Sequence, residues 1–195
     1  LFQMIPELKE TYRCDQKTKH HHHDVYTHIL ATTDGVKSNK FEIKLAALLH
    51  DIGKPQTKLL AKDSPDGYDH FYGHPAVSAR ICQNVFQNDL IVSNQSKNLI
   101  LGLVEHHDKD FFHTEKQLKR GIAKFGEPFL RDMMELQEAD RNDHSCYSLA
   151  SQEKRKNREA IEQMFEQFHE QEICFSLKDL AVKGSDLLAF GMQGP

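Results

Sequence analysis

The sequence predicts an all-α protein built round a polar site in its core. Apolar residues recur at helical spacing along almost the whole chain, and no apolar-polar alternation runs long enough for a substantial sheet. Two strongly apolar segments also run directly into a His-Asp pair. A chain of 195 residues can bury one sizeable core and is short for two full domains, so one domain with a tail is expected.

The first candidate element follows KHHHHDVYTHIL, residues 19–30, in which Asp24 and His28 lie four residues apart among apolar neighbours. Next comes KFEIKLAALLHDIGKP, residues 40–55, interrupted only by Glu42 and Lys44 before its His50-Asp51 pair. A helix apolar nearly all round must be central, and Gly53 and Pro55 are expected to end it. Residues 56–72, with Pro65, Asp66 and Gly67 in the middle, read as a loop or one short β-hairpin around a turn. In PAVSARICQNVF, Val77, Ile81 and Val85 form a stripe, while Pro75 suits the first helical position and puts His74 at the N-cap. NLILGLVEHHD, residues 98–108, is the second apolar helix and ends in His106, His107 and Asp108. In FLRDMMELQEAD, Phe129, Met133, Leu136 and Asp140 share one helical face, which places Asp140 on an apolar stripe. Residues 148–170 form a long charged amphipathic helix whose stripe serves either core packing or a dimer, and SLKDL opens a short helix with a Ser N-cap.

Composition narrows the function classes. A formal net charge of -4 gives no overall pull toward nucleic acid. Lys154, Arg155, Lys156 and Arg158 form a basic cluster, but Glu153 and Glu159 interrupt it and favour a solvated helix face over a phosphate contact. No apolar run approaches the roughly 20 residues that span a bilayer, and no export signal opens the chain, so no membrane partner and a cytoplasmic location are expected. Cys14, Cys82, Cys146 and Cys174 are widely spaced with no C-x-x-C pair, which argues for reduced, structural thiols. The chain also holds 13 histidines, a count that calls for either a purification tag or a site using imidazole.

A buried ionised carboxylate must be neutralised, paired or bound to metal. Asp51 and Asp140 are both expected to be buried, with no obvious Lys or Arg on the same helical face, and the nearby partners are histidines. Each position has an ordinary use too: His28 as a core histidine, Asp51 as an exposed helix end, His74 as a cap, Asp140 at a frayed terminus. Their coincidence at the ends of apolar helices favours a metal. Imidazole with carboxylate suits a divalent ion such as Mn, Fe, Co, Ni or Zn, with Mg possible where carboxylates and water dominate.

The ordered set His28, His50-Asp51, His74, His107 and Asp140 resembles the HD superfamily of metal-dependent phosphohydrolases, whose central motif LLHDIGKP approaches. HHDVYTHIL, KLAALLHDIGKP, FYGHPAVSA, LVEHHD and LQEAD are similar to the HD region of bacterial tRNA nucleotidyltransferases of the poly(A) polymerase type, and VKGSDLLAFGMQGP to the segment that follows it. The resemblance implies an HD-domain helical bundle over residues 1–170 with a metal site in its core, and the start of a C-terminal helical arm over 171–195. It makes His22 and His23 native rather than tag residues, and leaves His20 and His21 solvent-exposed.

In that family His28, His50, Asp51 and Asp140 would form one metal site, and His74 and His107 allow a second ion with Asp51 bridging. Asp24 is a candidate to orient His28 or hold a water, His106 a candidate auxiliary ligand or a solvent-facing helix end. Lys54 is a candidate phosphate-contacting residue beside the catalytic Asp51, or an exposed helix-end lysine. The implied chemistry is hydrolysis of phosphate esters of nucleotides or RNA ends, of the 2′,3′-cyclic phosphodiesterase or phosphatase type. A bound ion would lower the pKa of water to about 7 and so supply hydroxide. The alternative is a scaffold or RNA-binding segment of an enzyme of tRNA 3′-end CCA processing, with tRNA as partner. A non-catalytic nucleotide sensor is a third class that no residue here favours. The Gly-Ser or Gly-Gly strand-turn with paired Asp residues that marks the nucleotidyltransferase head is not found, so nucleotide addition by this chain alone is not expected. The opening at Leu1 and the ending at Gly194-Pro195 suggest an excised part of a larger enzyme, with a stand-alone relative as the other reading.

Overall fold

The most apolar segment of the sequence becomes the centre of the molecule. A computed structural model describes residues 1–17, 23–109, 114–142, 149–171, 173, 175 and 184–191. Among these, the helices are α1 (Val25–Gly35), α2 (Phe41–Leu49), α3 (Lys54–Thr57), α4 (His74–Asn88), α5 (Asn94–His106), α6 (Glu115–Phe125), α7 (Glu127–Asn142), α8 (Leu149–Glu170) and α9 (Gly184–Ala189). Short 3-10 helices lie at Pro6–Thr11 and Ala61–Asp63. In α2, Ile43, Ala46, Ala47 and Leu49 are wholly inaccessible, and α1, α5 and α7 pack around it. Its all-round apolar surface is thus covered on several sides, as such a helix requires.

Two apolar clusters meet at α7. Met133, Leu136 and Ala139 join Ile29 of α1, the buried face of α2, Ile81 and Val85 of α4, and Ile100, Leu103 and Val104 of α5. Leu130 and Met134 of α7 instead face Leu118 and Ile122 of α6 and Ile161, Phe165 and Phe168 of α8. The apolar stripe of α8 is therefore used in packing against α6 and α7. Arg158 pairs with Glu138 of α7 and Lys156 is exposed, while the side chains of Lys154 and Arg155 lie outside the described residues.

Several local expectations shift. Helix α2 stops at Leu49, before Gly53 and Pro55; His50 caps it, and Pro55 lies second in the one-turn α3. The N-cap of α4 is Gly73, at φ 74°, which makes His74 the first helical residue. The expected hairpin reduces to one antiparallel bridge, with Leu59 N–H donating to His70 O at 2.8 Å and His70 N–H returning to Leu59 O at 3.0 Å. Helix α6, not anticipated, starts from Thr114, whose hydroxyl accepts from Gln117 N–H. Cys14 and Cys82 are free thiols, and burial pushes that of Cys82 up. His20, His21, His22, Cys146, Cys174 and the SLKDL segment lie outside the described residues. No helix among the described residues is long and apolar enough to cross a membrane.

Gly53 locks the His50-Asp51 turn onto α4. Its N–H donates to Ser78 Oγ at 2.9 Å, and a Cβ there would lie 2.6 Å from Ser78 N and 2.9 Å from His74 O. Both close atoms belong to backbone, which cannot swing aside. Gly53→Ala is expected to cost about 1–3 kcal/mol through overpacking, read as a lower urea midpoint at unchanged slope.

Candidate metal centre

Helix ends deliver the polar side chains. Asp24 is the N-cap of α1, its Oδ1 accepting from Thr27 N–H at 2.8 Å and its Oδ2 from Arg13 N–H at 2.7 Å. One turn later, His28 is fully buried and faces the centre. His50 and His107 cap the C-termini of α2 and α5, His74 opens α4, and Asp140 lies in the last turn of α7.

His28 Nε2 lies 2.9 Å from Asp140 Oδ1 and 3.4 Å from Asp51 Oδ2. His50 Nε2 is 3.3 Å from Asp51 Oδ2, 3.6 Å from Asp140 Oδ1 and 3.3 Å from His28 Nε2. On the other side of the same carboxylate, Asp51 Oδ1 faces His74 Nε2 at 3.1 Å and His107 Nε2 at 3.6 Å, and these two nitrogens are 3.2 Å apart. The donors fall into two groups able to hold an ion, His28 with His50 and Asp140, and His50 with Asp51 and His107.

The tautomers follow from the backbone. Nδ1 of His50, His74 and His107 lies 2.7, 2.8 and 2.7 Å from the carbonyls of Ala47, Phe71 and Val104. A carbonyl only accepts, so each Nδ1 carries a proton, and Nε2 of each ring points inward, bearing a lone pair wherever it is not itself protonated. Lone pairs confronting carboxylate oxygens repel unless a cation or proton lies between. Consistent with this, Asp51 Oδ1 is buried and accepts no hydrogen bond, although two imidazoles face it. A divalent ion fits this donor set.

Charge balance leads the same way. Burial pushes the Asp51 carboxyl up, but His50 and Lys54 outweigh it and hold it well below the usual carboxylate range. Burial also opposes ionisation of Asp140, and His28 and His50 beside it reverse the effect and hold its carboxyl well below the usual carboxylate range. For His50, burial pushes the imidazole down while Asp51 and Asp140 push it up, to about 9. The site favours positive charge at its centre.

Lys54 corrects the expectation that Asp51 lacks a basic partner. Because the chain turns at 50–53, its Nζ comes back to Asp51 Oδ2 at 2.6 Å and donates to Gln16 Oε1 at 2.8 Å, with only 5% of the residue exposed. Asp24 is a helix cap, bonded to Thr27 and to Arg13 N–H rather than to His28. His106 packs its ring 5.2 Å from Phe125 and has Nδ1 3.2 Å from Lys109 Nζ, apart from both ligand groups. Asp140 is less enclosed than expected: its side chain is 24% exposed and that of His74 14%, so these two mark the open edge. A cleft of about 360 Å³ adjoins it, lined by Lys54, Phe71, His74 and Asp108 among others.

Sequence reasoning missed the supports. Gln16 holds Lys54, and Gln137 donates to His107 O at 2.9 Å and Lys109 O at 2.8 Å, satisfying carbonyls at the end of α5. A glutamine on the apolar stripe of α7, three residues before Asp140, was the available signal. Asp69, only 3% exposed, accepts from Ala61 N–H at 2.7 Å and Lys17 N–H at 3.1 Å and pairs with Lys58 Nζ at 3.0 Å. It staples the 58–70 loop to the N-terminal segment.

With this geometry in place, comparison with known proteins decides the family. The HD domain family profile matches residues 18–144. The chain belongs to the HD domain family. As an HD domain with buried His/Asp clusters it is a member of the metal-dependent phosphohydrolase superfamily. It is similar to the A-adding tRNA nucleotidyltransferase of Deinococcus radiodurans, 29% identical over 141 residues that cover 70% of this chain and 31% of the relative. It is also similar to the Multifunctional CCA protein of Nitrosospira multiformis, 27% identical over 110 residues, 55% of this chain and 25% of that protein. The matched HD region thus spans less than a third of the length of either curated relative.

Asp69 gives a pH test independent of the donor cluster. Burial pushes its carboxyl up, but bonds from Lys17 N–H, Lys58 and Ala61 N–H leave it below the usual range. A lowered folded pKa contributes stability above the ordinary value of about 3.9, and the contribution disappears as pH falls through the folded value. Asp69→Asn should destabilise the chain at pH 7 by on the order of 1–3 kcal/mol, with the gap to wild type closing in strongly acidic buffer. Urea titrations across pH check this.

Proposed function

We propose that this HD domain hydrolyses phosphate esters of nucleotides or RNA ends, of the 2′,3′-cyclic phosphodiesterase or phosphatase type. The observation that carries the reading is the divided Asp51 carboxylate, with Oδ2 toward His28 and His50 and Oδ1 toward His74 and His107. His28, His50, Asp51 Oδ2 and Asp140 would hold one divalent ion; His74, His107 and Asp51 Oδ1 would hold a second. Mn, Fe, Co, Ni and Zn suit these donors, and Mg suits the carboxylate-rich side. Bound ions acidify water and neutralise charge on a phosphoryl group.

The chain's own groups do the rest. Lys54, held between Asp51 and Gln16, presents its ammonium to a phosphoryl oxygen in the adjoining cleft. Asp51, sealed from solvent, stays ionised and faces both sets of imidazoles. Asp140 and His74 stand at the edge where substrate enters. Residues 1–170 would constitute the hydrolase unit and 171–195 the beginning of an arm, with the free thiols Cys14 and Cys82 suiting a reducing cytoplasm.

The relatives' names favour a second reading, in which this region supports tRNA 3′-end processing as a scaffold with tRNA as partner. Metal analysis and a panel of 2′,3′-cyclic nucleotides, mononucleotides and p-nitrophenyl phosphate separate the two. His50→Ala and Asp51→Ala should lose both metal and hydrolysis, whereas Lys54→Gln should keep metal and fall on the order of 10²–10³-fold in kcat. Full metal content in Asp51→Ala overturns the ligand assignment, and a metal-loaded wild-type chain inert toward the whole panel favours the scaffold.

A further inference from the structure

We propose that Tyr72, backed by His70, is a stacking platform for the nucleobase of the substrate. The inference rests on the phosphohydrolase reading for what occupies the other end of the cleft. The two rings lie 5.0 Å apart between centroids and 6° from parallel. Tyr72 is 72% exposed even so, which leaves its outer face open to solvent.

The support beneath it is fixed at several points. His70 Nε2 meets Asp66 Oδ1 at 2.9 Å, and that same oxygen accepts from Ser64 Oγ at 2.7 Å and Tyr68 N–H at 3.1 Å. The backbone of His70 is held by its bridge to Leu59. A ring braced in this way loses little freedom when a second flat surface is laid on it, which is what preorganised binding requires.

Position decides what the flat surface is. Tyr72 and His70 line the same cleft as Lys54 and His74, and Gly73 alone separates Tyr72 from His74. A ligand joining the two ends therefore carries a phosphate at Lys54 and an aromatic group at Tyr72, and nucleotides have that form. The volume, about 360 Å³, suits one nucleotide or a terminal residue rather than a longer strand. Because every base has a π-face, the platform tolerates all four bases.

Two measurements test this on the whole chain. In calorimetric titration with adenosine 5′-monophosphate, Tyr72→Ala should weaken binding on the order of 10-fold, and Tyr72→Phe, which keeps the ring, should restore it. In turnover of adenosine 2′,3′-cyclic monophosphate, Tyr72→Ala should raise KM by a similar factor without lowering kcat. The KM for ribose 5-phosphate, which has no base, should not move. A wild-type chain that does not bind adenosine 5′-monophosphate overturns the platform, as does equal loss for nucleotide and ribose 5-phosphate, or binding indifferent to Tyr72→Ala. Ring-dependent nucleotide binding without turnover supports the platform while removing the hydrolase reading, so the two fail separately.

Discussion

A carboxylate withdrawn from water must be met by positive charge or by donors, and Asp51, 1% exposed in the middle of a helical bundle, is such a group. Its surroundings can be read as the response. Lys54 returns across a tight turn to one oxygen, while imidazoles from α1, α2, α4 and α5 converge on the carboxylate from both sides. Each of these elements is committed at one end to a common point, which makes the order of helices around α2 a consequence of local electrostatics as well as of apolar packing.

Helix termini suit this task for a reason rooted in the backbone. The last carbonyls of a helix lack intrahelical partners. His50 and His107 meet that need with Nδ1–H directed to the carbonyl three residues back, and the same bond fixes the ring so that Nε2 points away from its own helix. One side chain therefore finishes the helix and aims a donor atom. Gln137 does the related work from outside, bonding the carbonyls that follow α5. The central position of α2 matters here because its C-terminus can be reached from several directions.

Much of this was legible in the sequence, and unevenly so. The apolar run of α2, the stripe of α7 and the His-Asp pairs at helix ends were strong local patterns that singled out His50, Asp51, His107 and Asp140; the resemblance to the HD superfamily added His28 and His74 to the set, and the fold brings the six together. What escaped were features set by the path of the chain between helices. The turn at 50–53 folds Lys54 back to Asp51, and no periodicity encodes that return. Asp24 resembled a site residue because it precedes His28 by one turn, yet four residues is also the spacing of an N-cap from the residue it starts toward the core. His106 shared its neighbour's chemistry, but one residue is 100° of helix, enough to turn it toward Phe125. Helix α6 went unread because Leu118, Ile122 and Phe125 are sparse among lysines, and it takes the outer face of α7 together with α8 to give them something to cover.

That double duty of α7 has a thermodynamic side. Its inner face belongs to the cluster around α2 and its outer face to the one shared with α6 and α8, so a single rigid rod spans both. Peeling α8 away strips Leu130 and Met134 of cover and loosens the segment that carries Asp140. By reciprocity, a cation held at Asp140 would resist that peeling, so amide exchange in α8, on the next helix of the chain, would gauge whether the core is loaded.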